Sequence, residues 1–267
     1  MLAHAMHDPI LATDLGCRLV VGLDGSSESL VAARQAATLL EQEGSLGFVS
    51  AVAPAAASVP VYGNATVLHE RAEGARALLR DAQGRWPNAE TTFAFGGAAE
   101  VLLDTARRQR ATLVAVGSGG HRRVPGIVLG SVTTHFLHRA PCSVLVARER
   151  DGGHGFPRTI VVGTDGSPEG NAAVRVALEL GRRFDAPVRA LIATGEGPVD
   201  AGAVGGIDEI EWSELPPVDA IVGAAAGADL VVVGSRGLRG VRALGSVSER
   251  VGHAAPCSVL VVRNLPA

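Results

Sequence analysis

The stretch GSGGHRRVPGIVLGS, residues 117–131, decides how this chain is read. It follows the apolar run of residues 112–116 and precedes VTTHFLHRAP, so it lies between a buried strand and a short helix. Glycine has no Cβ, which lets backbone N–H groups approach an oxyanion closely. The first N–H groups of a helix starting near Ser131 lack intrahelical partners and face the same space. That combination suits a phosphate. A related stretch, GSRGLRGVRALGS, occupies residues 234–246 after a second apolar run, residues 229–233. The chain reads as two copies of one phosphate-cradling unit.

Upstream, RLVVGLD at residues 18–24 is a continuous apolar run that stops at Asp24 and a Gly-Ser-Ser turn, as a strand buried on both faces would. Ser26 or Ser27 can cap the helix that follows, where Leu30, Ala33, Ala37 and Leu40 recur at helical spacing. The same reading gives strands at residues 48–52, 91–95 and 143–147, and helices at residues 66–85, 98–109 and from 131 to about 139. Strands alternating with crossover helices imply a parallel sheet covered on both faces. In such sheets ligands bind at the carboxyl ends of the strands, where the strand order reverses. Asp24 and Gly117 both end strands, so one crevice can hold the carboxylate and the glycine loop.

The second copy opens with TIVVGTDGSPEG at residues 159–170, which sets Asp165 in the place of Asp24. The offset between copies falls from 141 residues at Asp24 and Asp165 to 117 at Gly117 and Gly234, then to 115 at Gly130 and Gly245. The second copy is therefore shorter between its first strand and its loop, where a counterpart of the helix at residues 66–85 is expected to be missing. It is shorter again inside the loop, which cuts the maximum reach there by roughly 7 Å. The expected division is an N-terminal arm at residues 1–17, a first unit at 18–148, a charged and glycine-rich linker at 149–157, and a second unit at 158–267.

Composition narrows the chemistry. The 267 residues carry a formal charge of −3 and a pI of about 6.2, which gives no electrostatic case for nucleic acid or an anionic membrane. All 24 basic residues are arginine, so neither a Walker-type lysine loop nor a Schiff-base lysine can exist. The segment before residue 17 lacks a basic n-region and a long apolar stretch, no apolar run is long enough to span a bilayer, and a cytoplasmic protein is expected. Cys142 and Cys257 occupy matching places in two APCSVLV segments, at strand starts, and read as buried structural thiols. No Ser, His and Asp set suggests an activated nucleophile, and GLDGS stands where a dinucleotide fold would carry GxGxxG. His135 and His138 are three apart on one helix, but without a nearby Cys, Asp or Glu to complete a ligand set the expected role is packing or solvent exposure. His121, Arg122 and Arg123 read as solvated loop residues.

The ordered set of strand-end aspartate, glycine loop and APCSVLV, seen twice between residues 18 and 263, resembles the universal stress protein family in its tandem form, as found in actinobacteria. Gly117, Gly120, Gly130 and Ser131 fit that family's G-x2-G-x9-G-[ST] signature. The resemblance implies two tandem doubly wound parallel five-stranded sheets, Rossmann-like and of the adenine nucleotide alpha hydrolase type. It implies ATP held by Asp24 and by backbone near Val52 on the adenosine side, with the phosphates against Gly117, Ser118, Gly120, Gly130 and Ser131, and Mg²⁺ accompanying the triphosphate. Asp165, Gly234, Gly237, Gly245 and Ser246 form the second set, where the shorter loop makes ATP less expected. The implied role is a nucleotide-dependent stress-response module with at most weak ATP hydrolysis. A slow ATPase or adenylyl-transfer enzyme and a scaffold with vestigial sites are the alternatives. The apolar last strands are expected at sheet edges, pairing the two units as a pseudo-dimer within the chain and allowing whole chains to dimerise.

Overall fold

The computed structural model describes residues 15–54, 61–119, 129–149, 155–193, 204–207, 209–235 and 246–263, with backbone alone for 61–65. In unit 1 the elements are β1 (Arg18–Gly22), α1 (Ser27–Leu39), β2 (Ser45–Val52), α2 (Val61–Arg85), β3 (Glu90–Phe95), α3 (Ala98–Arg108), β4 (Leu113–Gly117), α4 (Ser131–Arg139) and β5 (Ser143–Ala147). Unit 2 comprises β6 (Ile160–Gly163), α5 (Pro168–Phe184), β7 (Val188–Ala193), β8 (Glu209–Ser213), α6 (Pro217–Ala225), β9 (Leu230–Ser235), α7 (Val247–Ala254) and β10 (Ser258–Arg263). Two elements depart from the sequence reading. Helix α2 begins at Val61, ahead of the expected residue 66. The short strand β8, EIEWS, was not anticipated, because two of its five side chains are carboxylates and no apolar run marks it.

The two expected sheets are one. Ten strands run in the order β3-β2-β1-β4-β5-β10-β9-β6-β7-β8, each unit contributing five parallel strands. The expected pairing of the last strands is present, but it removes them from the edge. Strands β5 and β10 run antiparallel at the centre, with Val144 opposite Val261, Leu145 opposite Leu260 and Val146 opposite Val259.

Alternation along each strand sends side chains to two layers. Leu19, Val21, Leu113, Ala115, Leu145 and Leu260 pack towards α1, α2 and α5. Val20, Val114, Val116, Val144, Val259 and Val261 pack towards α3, α4, α6 and α7. Both faces of the central strands are thus covered, and every residue of β4, β5 and β10 is buried. This explains why those segments read as unbroken apolar runs rather than as alternating ones.

Side chains lock the central ladder reciprocally. Ser258 Oγ accepts from the Arg148 N–H at 3.0 Å, and Ser143 Oγ accepts from the Arg263 N–H at 3.2 Å. The Arg148 guanidinium leaves unit 1 to donate to the Gly252 carbonyl at 2.6 Å and to the Cys257 carbonyl at 3.3 Å, closing the carboxyl end of α7. Arg263 does the converse, donating to the Ala140 and Leu137 carbonyls at 2.9 and 2.5 Å at the end of α4. Each unit supplies the cation that satisfies the other's last helical carbonyls. Burial holds the Arg148 guanidinium below the usual arginine range, an effect opposed by Cys257.

In the second unit the residues between Ala193 and Glu209 are fewer than the 25 of α2, and the chain passes from β7 to β8 with no helix between them among the described residues. A helix of the length of α2 therefore does not fit between them. Val204 and Ile207 fill part of the space it leaves. Among the described residues no helix is long and apolar enough to cross a membrane.

Two outcomes follow from this packing. Arg263→Met, which keeps the length of the side chain but deletes two charge-assisted bonds to helical carbonyls, should lower the unfolding free energy by about 2–4 kcal/mol in a denaturant melt. Burial pushes the Cys142 thiol up to about 12, an effect opposed by Arg263 and by a backbone hydrogen bond from Val114. An unfolded thiol titrates near 8.5, so the folded state retains the proton longer. Its contribution to stability is complete below that value and declines as pH rises towards 12. Iodoacetamide at pH 8 should therefore modify the half-buried Cys17 and spare Cys142 until the protein unfolds.

Candidate functional site

In unit 1 the strand order reverses between β1 and β4, which are neighbours with α1 following one and α4 the other. Asp24 lies exposed just past the end of β1. Its Oδ1 accepts from the N–H of Ser26 at 3.0 Å and from the Ser26 hydroxyl, while Ser26 Oγ caps α1 by accepting from the Ser29 N–H at 3.2 Å. Gly25 supplies the left-handed residue of this turn, at φ +83°. Asp24 thus organises the entry to α1. Val52, buried at the end of β2, already gives its carbonyl to the Gly96 N–H at 3.0 Å.

Across the crevice, Gly117 ends β4 against the first turn of α1. A Cβ there would stand 2.7 Å from the Glu28 carbonyl carbon and 2.9 Å from Ser29 N. Its glycine is required for close approach of strand end and helix start, a role the sequence pattern alone assigned to phosphate. Ser118 donates its N–H to the Ala147 carbonyl and accepts from the Gly130 N–H, both at 3.1 Å. The two flanks of the loop are thereby drawn together. Thr133, which the sequence did not single out, donates its buried hydroxyl to the Gly117 carbonyl at 2.7 Å and pins α4 to the strand end. Gly130 is the N-cap of α4, so no side chain caps that helix, and Ser131 is exposed as its first residue. Gly120 lies outside the described residues, as do His121, Arg122 and Arg123.

Unit 2 repeats the first wall closely. Asp165 Oδ1 accepts from the Ser167 N–H at 3.0 Å and from its hydroxyl, and Ser167 Oγ caps α5 through the Gly170 N–H at 3.1 Å. A Cβ on Gly234 would collide with the Glu169 carbonyl, as one on Gly117 would with that of Glu28. The second wall differs. Helix α7 begins one residue later than the repeat predicts: Ser246, the counterpart of Ser131, is its N-cap and accepts from the Glu249 N–H at 3.3 Å. Glu249 adds a carboxylate to the first turn, where α4 has no acidic residue. The helix start that carries no side-chain cap in unit 1 is closed in unit 2 by its own side chains. Gly237 and Gly245 lie outside the described residues.

The structure brings Glu249 into contact with unit 1. His138 Nε2 stands 2.8 Å from Glu249 Oε1, with side chains 17% and 12% exposed. The sequence reading found no carboxylate near this histidine, since the two residues are remote along the chain. His253, the repeat counterpart of His138, is held below the ordinary histidine range by burial, opposed by Glu249 and reinforced by Arg148 and His138. His135 Nε2 is buried without a hydrogen-bond partner. Among the described residues no group of three or more His, Cys, Asp or Glu side chains is arranged to hold a metal ion.

The universal stress protein family matches residues 18–148, 157–211 and 198–263. A universal stress protein of Mycobacterium tuberculosis is 30% identical over 291 aligned residues, spanning 92% of this chain and 96% of its own. One from Mycolicibacterium smegmatis is 30% identical over 292, spanning 94% and 98%. The crystal structure of a universal stress protein from Archaeoglobus fulgidus shares the fold at a TM-score of 0.74 and 19% identity, over 92% of this chain and 96% of that one. On the repeated strand-end aspartates, the glycine-flanked loops and these matches, the chain belongs to the universal stress protein family, in its tandem two-unit form.

Proposed function

We propose that unit 1 binds an adenine nucleotide, ATP foremost, in the crevice between β1 and β4, and that the chain acts as a nucleotide-dependent regulatory module in the cytoplasm. The observation that carries the reading is the start of α4, which has glycine for its N-cap and lies across a strand-order reversal from Asp24. The residues suit a phosphate there: the first-turn N–H groups of α4 have no capping side chain, and Gly130 and Ser131 present nothing bulky. Asp24 would accept hydrogen bonds from the sugar, with backbone past Val52 bounding the base. Glu28 stands at the end of α1 that adjoins the loop, so the crevice holds carboxylates as well as amides. A divalent cation such as Mg²⁺ fits this arrangement, since it would lower the repulsion between those carboxylates and a triphosphate.

Unit 2 is not an equal site. Ser246 already fills the cap of α7, and the Glu249 carboxylate would repel a phosphate approaching it. We infer one nucleotide per chain.

Mass spectrometry of the denatured, freshly purified protein should recover close to one adenine nucleotide per chain. ATP with Mg²⁺ at about 100 times its dissociation constant should raise stability by about 2.7 kcal/mol. Absence of both retained nucleotide and a thermal shift would defeat the proposal. Gly130→Ser separates its parts more finely. The N-cap φ and ψ of −68° and 155° accept serine, so this change should hold or slightly raise the melting temperature of the ligand-free protein. It should also weaken ATP binding about tenfold or more, because the new hydroxyl competes for the same N–H groups.

A further inference from the structure

Among the described residues, the outer edge of unit 2 lacks a cover that unit 1 has. In unit 1, α2 packs over β2 and β3 through Leu79 and Ala82, in the layer shared with α1. In unit 2, among the described residues, no helix stands between β7 and β8. Strand β8 is the last in the sheet order, and no described strand pairs with its outer edge. Its register sets Ile210 beside Ala190 and Trp212 beside Ile192. Ala190 and Ile192 belong to the core layer under α5, so Ile210 and Trp212 stand on that face. They are 38% and 53% exposed, and Leu215, just past the strand, is 57% exposed. The opposite face of β8 carries Glu209 and Glu211. There a single guanidinium, that of Arg189, lies 2.9 Å from Glu211 and 3.9 Å from Glu209.

We propose that this edge is a docking site for an extended segment of a partner protein whose side chains alternate apolar and basic, added to the sheet as an eleventh strand. The backbone supplies the recognition common to any strand, through N–H and C=O groups on the outer edge of β8. The pleat supplies selectivity. Apolar side chains of the incoming strand would lie on Ile210 and Trp212, and basic ones would face the carboxylates of Glu209 and Glu211, which share one arginine. A second copy of this chain is the poorer occupant. Pairing two β8 strands about a two-fold axis at Glu211 would set that residue opposite its twin and leave the four carboxylates with two guanidiniums.

Trp212 is a built-in reporter. The chain has two tryptophans, so Trp86→Phe leaves Trp212 alone; Phe at position 86 can keep a ring against Phe48. A capped octapeptide alternating arginine or lysine with valine should shift the Trp212 emission saturably. The same peptide with glutamate in place of every basic residue should bind about tenfold more weakly, and so should the basic peptide N-methylated at alternate residues. Glu209→Gln with Glu211→Gln should bring the basic and acidic peptides together in affinity. No saturable shift, or equal affinity for the basic, acidic and N-methylated peptides in the unsubstituted background, would overturn the proposal whether or not the double variant folds. Sedimentation showing a dimer that Trp212→Thr dissociates would overturn it in favour of self-association.

Discussion

Three residue pairs of antiparallel backbone, Val144–Val261, Leu145–Leu260 and Val146–Val259, hold ten strands in one sheet. Everything on either side is parallel and could in principle close on itself within its unit. Each unit alone would present an apolar last strand to water, and the pairing of β5 with β10 removes both of those edges at once. Arg148 and Arg263 raise the cost of separation further. Each is a buried or half-buried cation whose partners are helical carbonyls of the other unit. Pulling the units apart would leave carbonyls of α4 and α7 without donors. The ladder, the arginines and the two helix ends therefore stand or fall together.

From this seam outward the two halves diverge, and the divergence is concentrated where ligands and partners would meet the protein. The entries to α1 and α5 are nearly superimposable in their hydrogen bonding, from aspartate to serine to the third helical residue. The helices that follow β4 and β9 begin differently, one capped by glycine and one by serine. The residue at the cap thus decides whether the helix start is closed by a side chain of its own. The loss of the helix that would cover β7 and β8 alters the far edge and leaves the seam untouched.

Much of this was legible in the sequence because it rests on local pattern. The buried strands announced themselves as apolar runs, and comparing repeat offsets exposed the shortening of the second copy. The strand β8 was not legible, since an edge strand open on one side can carry glutamates that a central one cannot. The packing role of Gly117 was not legible for a different reason. A glycine that admits a phosphate and one that admits a neighbouring helix look the same in sequence, and only the position of Glu28 and Ser29 tells them apart. The one-residue shift at the start of α7 also escaped the alignment of repeats, because Ser131 and Ser246 are identical residues in different conformations. The contact of His138 with Glu249 joins residues 111 apart and depends on the seam itself.

The direction of the central ladder has a geometric corollary. Strands within each unit are parallel, and the units meet antiparallel. The carboxyl ends of β1 and β4 therefore point one way along the sheet, and those of β6 and β9 point the other. The two crevices open on opposite rims of the molecule and share no mouth. Two ligands, were both bound, could neither touch nor compete for the same volume of solvent. Any influence of one rim on the other must pass through the body of the sheet or through the packed helices α4 and α7, which leaves this chain with its two crevices turned away from each other.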